Sequence, residues 1–333
     1  MTITNEKLLE TLERLTSVKA LVVGDLVLDR YIWGKVERIS PEAPVPVVHV
    51  RRVEDRLGCA GNAVANLSAL GAQVRLCSLV GDDEEGRILQ QLLAGISVDT
   101  SGLFVNPQRP TIVKTRVIAH SQQVVRIDRE EVEPYSLWGR TGVKDFLARS
   151  LESCDVVVLS DYGKGIIDEK LLPKIARGAV LNSKNIPVVV DPHPQNFAYY
   201  SGITVAKPNR AEAELASGIK ITSRETALEA ARVLKKKWQA EVMLITLGED
   251  GLLLLSDSNA KGLFLPTQAR EVFDVSGAGD TVTAVFSAVL ALGVEHEIAG
   301  ELANIAAGIV VSEVGTAPIT LDKLRDAIHV RKV

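Results

Sequence analysis

Five short β-branched runs, separated by segments of helical periodicity, narrow the folds open to this chain more than any other feature. They are ALVVGD (Ala20–Asp25), VRLCSLVG (Val74–Gly81), DVVVLSD (Asp155–Asp161), IPVVVDP (Ile186–Pro192) and EVMLITLG (Glu241–Gly248). Several are apolar on both faces, the pattern of central strands in a parallel sheet covered by helices. Helical candidates lie between them, among them GNAVANLSALG (Gly61–Gly71) and TSRETALEAARVLKKK (Thr222–Lys237), the second opening on a capping box from Thr222 to Glu225. The alternation predicts a doubly wound α/β fold with a mostly parallel sheet flanked by helices. The 333 residues suffice for one large domain of this kind or two smaller ones.

Two segments break the rhythm. RYIWGKVERISPEAPVPVVHVRRVEDRLG (Arg30–Gly58) and TIVKTRVIAHSQQVVRIDRE (Thr111–Glu130) alternate apolar and polar residues, as a half-exposed sheet does, and the second turns near His120–Gln122. They predict a small projecting β-sheet, a lid with strands inserted at about 30–57 and 108–130. Such a lid would cover an active site, pair with another subunit, or do both.

Charge and composition exclude several functions. The net charge of −4 gives no basic field for nucleic acid, and aromatics at 4% are too few for a base-stacking platform. Cys59, Cys77 and Cys154 form neither a disulfide framework nor a zinc site, which points to a reducing, cytoplasmic setting. The opening MTITNEKLLETLERL reads as an amphipathic helix and not a signal peptide. The longest apolar stretch, Ala284–Val294, is too short to span a bilayer, so no membrane partner is expected.

The segment DVSGAGD (Asp274–Asp280), placed before a long apolar helix candidate, carries the strongest chemical signal. A Gly-Ala-Gly turn opening a helix aims backbone N–H groups outward where the macrodipole favours anions. Gly277, Ala278 and Gly279 would form an anion cradle, and Asp280 in the first turn would take a proton from an attacking hydroxyl. A plain helix start with a favourable acid and a tight turn explains this segment equally well. Gly277-Ala278-Gly279 is also half of a dinucleotide-binding GxGxxG, but Val282 stands at the third glycine and too little chain follows. No GxxxxGK[ST] occurs either.

Three further constellations accompany it. In LGCAGNAVANLSALG (Leu57–Gly71), Gly58 and Gly61 allow close backbone approach and Asn62 offers a donor and an acceptor to a sugar hydroxyl, unless it is simply a helix cap. In GDLVLDRY (Gly24–Tyr31), Asp25 stands at the carboxyl end of the first strand and Asp29 follows, two carboxylates suited to gripping hydroxyls or to capping a turn. In KPNRAEAE (Lys207–Glu214), Asn209 and Glu212 share a helix face and could hold a hydrated Mg²⁺ near phosphates; taken alone, a capping box explains them better.

These pieces, in this order, resemble the ribokinase-like (PfkB) carbohydrate kinases: GCAGN corresponds to their N-terminal glycine signature, PNRAE to their NxxE motif and DVSGAGD to their DTxGAGD signature. The resemblance spans essentially the whole chain, 1–333, as a single kinase domain. GDLVLDRY, RISPEAPVPV (Arg38–Val47), KTRVIAHSQQVVRID (Lys114–Asp128), LSDYGKG (Leu159–Gly165) and PTQAREVFDVSGAGDTV (Pro266–Val282) are similar to the heptose 7-phosphate kinase subfamily of lipopolysaccharide-core biosynthesis. The resemblance implies a lid that often clasps a homodimer. It implies ATP, Mg²⁺ held through the phosphates near Asn209 and Glu212, and room for a monovalent cation such as K⁺. It implies phosphorylation of the anomeric hydroxyl of D-glycero-D-manno-heptose 7-phosphate to the 1,7-bisphosphate, with Asp280 as base. Thr246, Gly248, Gly251 and Asn304 would lie near the nucleotide. Asp25, Asp29, Gly58, Cys59 and Asn62 would line the sugar site.

A substrate phosphate needs cations. Lys164 and Arg116 are nominated, with Arg38 from the lid a third that is as compatible with a surface charge. Cys59 replaces the family's usual second glycine, Ser276 a common threonine, and Asp191–Pro194 is given no role. Related bifunctional proteins carry a nucleotidyltransferase domain; none is recognised here, so that step is expected of another protein. The competing readings are another PfkB sugar or sugar-phosphate kinase acting on ribose or fructose 6-phosphate, a non-catalytic sugar- or nucleotide-binding regulator and, remotely, a nicotinamide oxidoreductase.

Overall fold

A computed structural model of the chain describes residues 3–120, 122–131, 136–181, 185–269, 272, 274–313 and 315–331. Its strands are β1 (Lys19–Gly24), β2 (Leu26–Ile39), β3 (Pro46–Cys59), β4 (Gln73–Gly81), β5 (Asp99–Asn106), β6 (Val113–Ala119), β7 (Gln122–Arg129), β8 (Val156–Ser160), β9 (Val188–Asp191), β10 (Val205–Ala206), β11 (Val242–Thr246), β12 (Leu252–Ser256) and β13 (Leu263–Leu265). Its α-helices are α1 (Asn5–Arg14), α2 (Ala60–Ala69), α3 (Glu84–Ala94), α4 (Val143–Ser153), α5 (Leu171–Leu181), α6 (Arg210–Ser217), α7 (Arg224–Lys237), α8 (Ala278–Leu290), α9 (His296–Val310) and α10 (Leu321–Val330).

The apolar runs form the main sheet because each can bury both faces. Val22, Leu76, Val158 and Leu244 pack into one layer, while their neighbours Val23, Cys77, Leu159 and Ile245 pack into the other. The strand order is β13-β12-β11-β10-β9-β8-β1-β4-β5. Strands β5 to β11 in that order pair in parallel, whereas β12 and β13 are added antiparallel. Residues from α1, α2, α3, α8, α9 and α10 fill the first layer and residues from α4 to α7 the second. This is the doubly wound α/β fold that the alternation predicts.

Helix α7 starts one residue later than expected. Ser223 is the cap, its hydroxyl accepting from Thr226 N–H while Thr226 reaches back, so the box is Ser223–Thr226 and not Thr222–Glu225. Helix α8 begins inside DVSGAGD, and every residue from Asp280 to Leu290 is buried. Each large aliphatic side chain so placed contributes roughly 1.5–3 kcal/mol relative to exposure.

A second sheet, in the order β3-β2-β6-β7, is rooted in the first: Leu26 directly follows Asp25, and Cys59 opens α2. Strands β2 and β3 pair from Leu26↔Cys59 outward to Ile39↔Pro46, and β6 adds in parallel to β2. Ser121, within the expected β6–β7 turn, lies outside the described residues, as do Glu271 and Phe273 ahead of DVSGAGD. Ile39, Val45, Val50, Val53, Val124, Val125 and Ile127 of this sheet region are exposed. No helix among the described residues is long and apolar enough to cross a membrane.

Candidate active site

Three apolar strands end on an aspartate. β1 runs into Asp25, β8 into Asp161, and β9 closes on Asp191. All three stand at the carboxyl edge of the parallel sheet, where open α/β sheets bind ligands. The N-terminus of α8 meets this edge, since Thr283 Oγ1 donates to Asp191 Oδ2 at 3.1 Å.

Gly277 caps α8 with φ +80°, and a Cβ there would fall on the Asn62 amide, so the turn requires glycine on both counts. No side chain caps this helix. The N–H of Ala278 turns back to the Val275 carbonyl at 3.3 Å, so Ala278 does not contribute a free donor to the expected cradle. Among the described residues no acceptor faces the N–H groups of Gly277 and Gly279.

Asp280 is buried and held from two sides. Asn62 Nδ2 donates to Oδ2 at 2.9 Å, and the Tyr162 hydroxyl donates to Oδ1. Burial, then the charge of Asp191, pushes its carboxyl up to about 7 against the pull of Tyr162, Asn62 and Lys207. A carboxyl tuned so is suited to proton transfer near neutral pH. Lys207, itself buried, pairs with Asp191 at 2.9 Å, and its Nζ lies 3.4 Å from where a Cβ on Gly279 would sit. Burial works against its charge, but Asp191 outweighs this and holds the ammonium above its usual value.

The expected sugar residues separate into two groups. Asn62, Gly277 and Asp280 touch one another directly, with Asn62 Nδ2 also 3.3 Å from the Gly277 carbonyl. Cys59 joins them at the head of α2 with φ 55° and ψ −124°, a conformation that costs a non-glycine residue about 1–3 kcal/mol. Its Sγ lies 3.9 Å from Lys114 Nζ, and burial pushes the thiol well up. Asp29 and Gly58 form the second group, where a Cβ on Gly58 would come 2.5 Å from Asp29 Oδ2.

Of the two readings open for Asp25, its contacts match the capping of a turn. Its carboxylate accepts backbone N–H groups of Tyr162 at 2.9 Å, Lys164 at 3.1 Å and Ile166 at 3.1 Å, so it anchors a loop. The nominated phosphate cations are also engaged. Arg116 pairs with Asp29 at 2.6 Å and lies over the Tyr31 ring, and Lys164 pairs with Glu130 at 2.8 Å. Arg38 stands nine residues beyond Asp29 on the same strand, about 30 Å away at ~3.3 Å per residue, and is exposed. Within one chain it stands apart from Asp29 and Gly58.

Of the residues expected near the nucleotide, Asn209 and Glu212 form a true capping box on α6: Asn209 Oδ1 accepts from Glu212 N–H at 2.9 Å, and Glu212 Oε2 accepts from Asn209 N–H at 2.8 Å. Burial and then Asp191 push the Glu212 carboxyl up. Thr246 bridges to Asn209, beside the turn that begins at Gly248. Gly251, at φ +88°, lies so close to Leu265 that a Cβ would meet its carbonyl, and Asn304 Nδ2 donates to the Pro266 carbonyl at 2.7 Å. Gly251 and Asn304 thus fix the same loop.

Tyr162, Lys207 and Asp191 were not among the expected site residues. Their signals were present: Lys207 directly precedes PNRAE, Tyr162 lies in LSDYGKG, and Asp191 ends an apolar strand as Asp25 and Asp161 follow theirs. A cavity of about 700 Å³ opens at the opposite edge of the sheet, between the starts of β1 and β4, and none of these groups lines it.

The fold is that of the ribokinases. The chain superposes on the Arabidopsis thaliana ribokinase complexed with ribose and ATP with a TM-score of 0.77 at 18% identity, covering 94% of this chain and 99% of that one. The Thermotoga maritima ribokinase gives 0.71 at 19% identity over 94% and 99%. Residues 18–323 match the model of the pfkB family carbohydrate kinases, and the chain belongs to that family; its class is ATP-dependent carbohydrate kinase. It is 47% identical over 307 residues to the bifunctional protein HldE of Citrifermentans bemidjiense, covering 92% of this chain and 62% of that protein. It is 44% identical over 313 residues to that of Helicobacter hepaticus, covering 94% and 64%. The chain therefore spans less than two thirds of the length of these relatives.

Proposed function

We propose that this chain transfers the γ-phosphoryl group of ATP to the anomeric hydroxyl of D-glycero-D-manno-heptose 7-phosphate, supplying a lipopolysaccharide-core precursor in the cytoplasm. The carrying observation is Asp280, buried in the first turn of α8, clamped by Asn62 and Tyr162 beside Lys207, with its carboxyl up at about 7. Asp280 takes the hydroxyl proton as the sugar oxygen bonds to the γ-phosphorus. The bond from that phosphorus to the β-phosphate oxygen breaks, and ADP leaves with the electron pair. The N–H groups of Gly277 and Gly279 and the ammonium of Lys207 offset charge on the phosphoryl oxygens.

Glu212, with Asn209, is suited to a hydrated Mg²⁺ brought in on nucleotide phosphates. Among the described residues no cluster of three His, Cys, Asp or Glu is arranged to hold a metal alone, and Mg²⁺ commonly binds through few carboxylates plus phosphates and water. Bound there, Mg²⁺ would neutralise phosphate charge. The heptose assignment is supported by the subfamily segments, of which RISPEAPVPV and LSDYGKG are examples, and by identity of 44–47% to the HldE proteins.

Purified protein given ATP, Mg²⁺ and a panel of sugars tests this through ADP release, with heptose 7-phosphate expected to turn over best. Equal or better turnover of ribose or fructose 6-phosphate would move the reading to another PfkB sugar kinase. Tight sugar binding with no ADP release would favour a regulator.

The exposed aliphatic residues of the second sheet support a homodimer through the lid. Sedimentation of the wild type should give twice the chain mass, and Val53→Lys with Ile127→Lys should shift it to one. A monomeric wild type would refute the dimer.

A further inference from the structure

Tyr162 presents its phenol to Asp280 from a loop that is fixed independently of the phenol. Asp25 takes three backbone N–H groups of that loop, Asp161 Oδ1 takes the Gly163 N–H at 2.8 Å, and the Arg109 guanidinium holds the Lys164 carbonyl. The ring packs against Val27, Cys59 and Ile112, and Lys114 Nζ stands 5.8 Å from its centroid. The hydroxyl therefore arrives at Oδ1 with little freedom to turn away, opposite Asn62 on Oδ2.

We propose that Tyr162 is a positioning residue for the base: its hydroxyl aims Asp280 and keeps it ionised, leaving a free lone pair for the proton of the incoming sugar hydroxyl. This rests on the reading of Asp280 as base. The groups facing Asp280 make such help necessary. Asp191 on β9 opposes its ionisation, Lys207 after β10 favours it but is already bonded to Asp191, and Glu212 on α6 adds a further acid near that pair. The Cys59 thiol at the head of α2 and Lys114 on β6 complete the surroundings. Burial, then the charge of Asp280, pushes the phenol well above its usual value, so Tyr162 stays a donor.

Tyr162→Phe removes only the hydroxyl. A hydrogen bond to a charged group is worth about 1.5–3 kcal/mol, so the acidic limb of the pH–kcat/KM profile should move up by about one unit or more, with turnover recovering towards wild type at high pH. An unmoved limb would overturn the proposal, and so would an equal loss at every pH, which is what a purely structural role gives. Asp280→Asn is the control. If it turns over like wild type, the base reading and this inference fall together; if it is inactive while the Tyr162→Phe limb stays in place, only this inference falls. Should Tyr162→Phe fail to fold, replacement of Tyr162 by 3-fluorotyrosine strengthens the donor and should move the limb down, and an unmoved limb overturns the proposal there too.

Discussion

Two helix N-termini meet the same edge of the main sheet, and they are finished in opposite ways. Helix α6 closes on itself: Asn209 and Glu212 satisfy each other's backbone N–H groups, so its acid serves the helix. Helix α8 has no side-chain cap, and its acid, Asp280, is turned instead to Asn62 and Tyr162 from distant segments. An acid three residues after the cap is a stabilising choice in both helices by local rules. Burial and Asp191 push both acids up, but Glu212 keeps its own helix's N–H as a partner while Asp280 is turned to distant side chains, where its charge is costly to the fold and useful to chemistry.

The comparison breaks most readily on activity. Asp280→Asn should lower kcat by about 10²–10⁴-fold, the usual contribution of a general base, while calorimetric ATP affinity stays near wild type. Wild-type turnover would make the two helix starts chemically equivalent.

The same variant sharpens the contrast through stability. The folded carboxyl titrates at about 7 against an ordinary value of 3.8. Between those values the folded state binds more protons than the unfolded chain, so stability from this group is present at low pH and is lost as pH rises towards 7. Asp280→Asn should therefore melt higher than wild type above pH 7, by an amount on the order of a few kcal/mol at most, with the gain shrinking towards pH 4. Asp161, also pushed up to about 7, is common to both proteins and cancels. A gain independent of pH, or a loss, would contradict the buried-charge account.

The smallest effect belongs to α6. Glu212→Ala should cost about 1 kcal/mol through the lost capping box, lowering the melting temperature by ~1–2 °C. Its effect on kcat should be far below that of Asp280→Asn, with any kinetic change appearing in KM for Mg-ATP. A kcat loss rivalling that of Asp280→Asn would give α6 a direct role in the chemistry.

Much of this contrast was legible in advance. The runs around Val22, Leu76 and Val158 are apolar on both faces, so their place in a covered parallel sheet follows from side-chain chemistry alone. Gly277 and Asp280 were recognisable because a glycine turn before an apolar helix is a local pattern. The capping boxes were legible only in part. Asn209–Glu212 is spaced as expected, but at α7 two adjacent hydroxyl residues, Thr222 and Ser223, compete for the cap, and the chain selects the second. The two-residue β10 and three-residue β13 carry too little periodicity to register, and the antiparallel pairing of β12 is not contained in its apolar run.

Lys164, Arg116 and Arg38 show where linear reasoning stops. All three are cations in suitable segments, yet Asp29 and Glu130 pair with two of them and the third stands nine residues out along β2 from Asp29. Partner choice depends on which strands lie side by side, and sequence spacing does not contain that.

By itself, then, the sequence determined the layered α/β architecture, the projecting sheet and the glycine-opened helix, since each follows from local periodicity and backbone freedom. The tertiary structure alone decided that Asp25 ties down a loop, that Tyr162 and Asn62 converge on Asp280, and that Asp191 and Lys207 set its charge. Asn62 and Asp280 are 218 residues apart in the chain and 2.9 Å apart in space. A carboxyl's proton affinity is set by burial and by neighbours at that range, and only the packed fold brings them together.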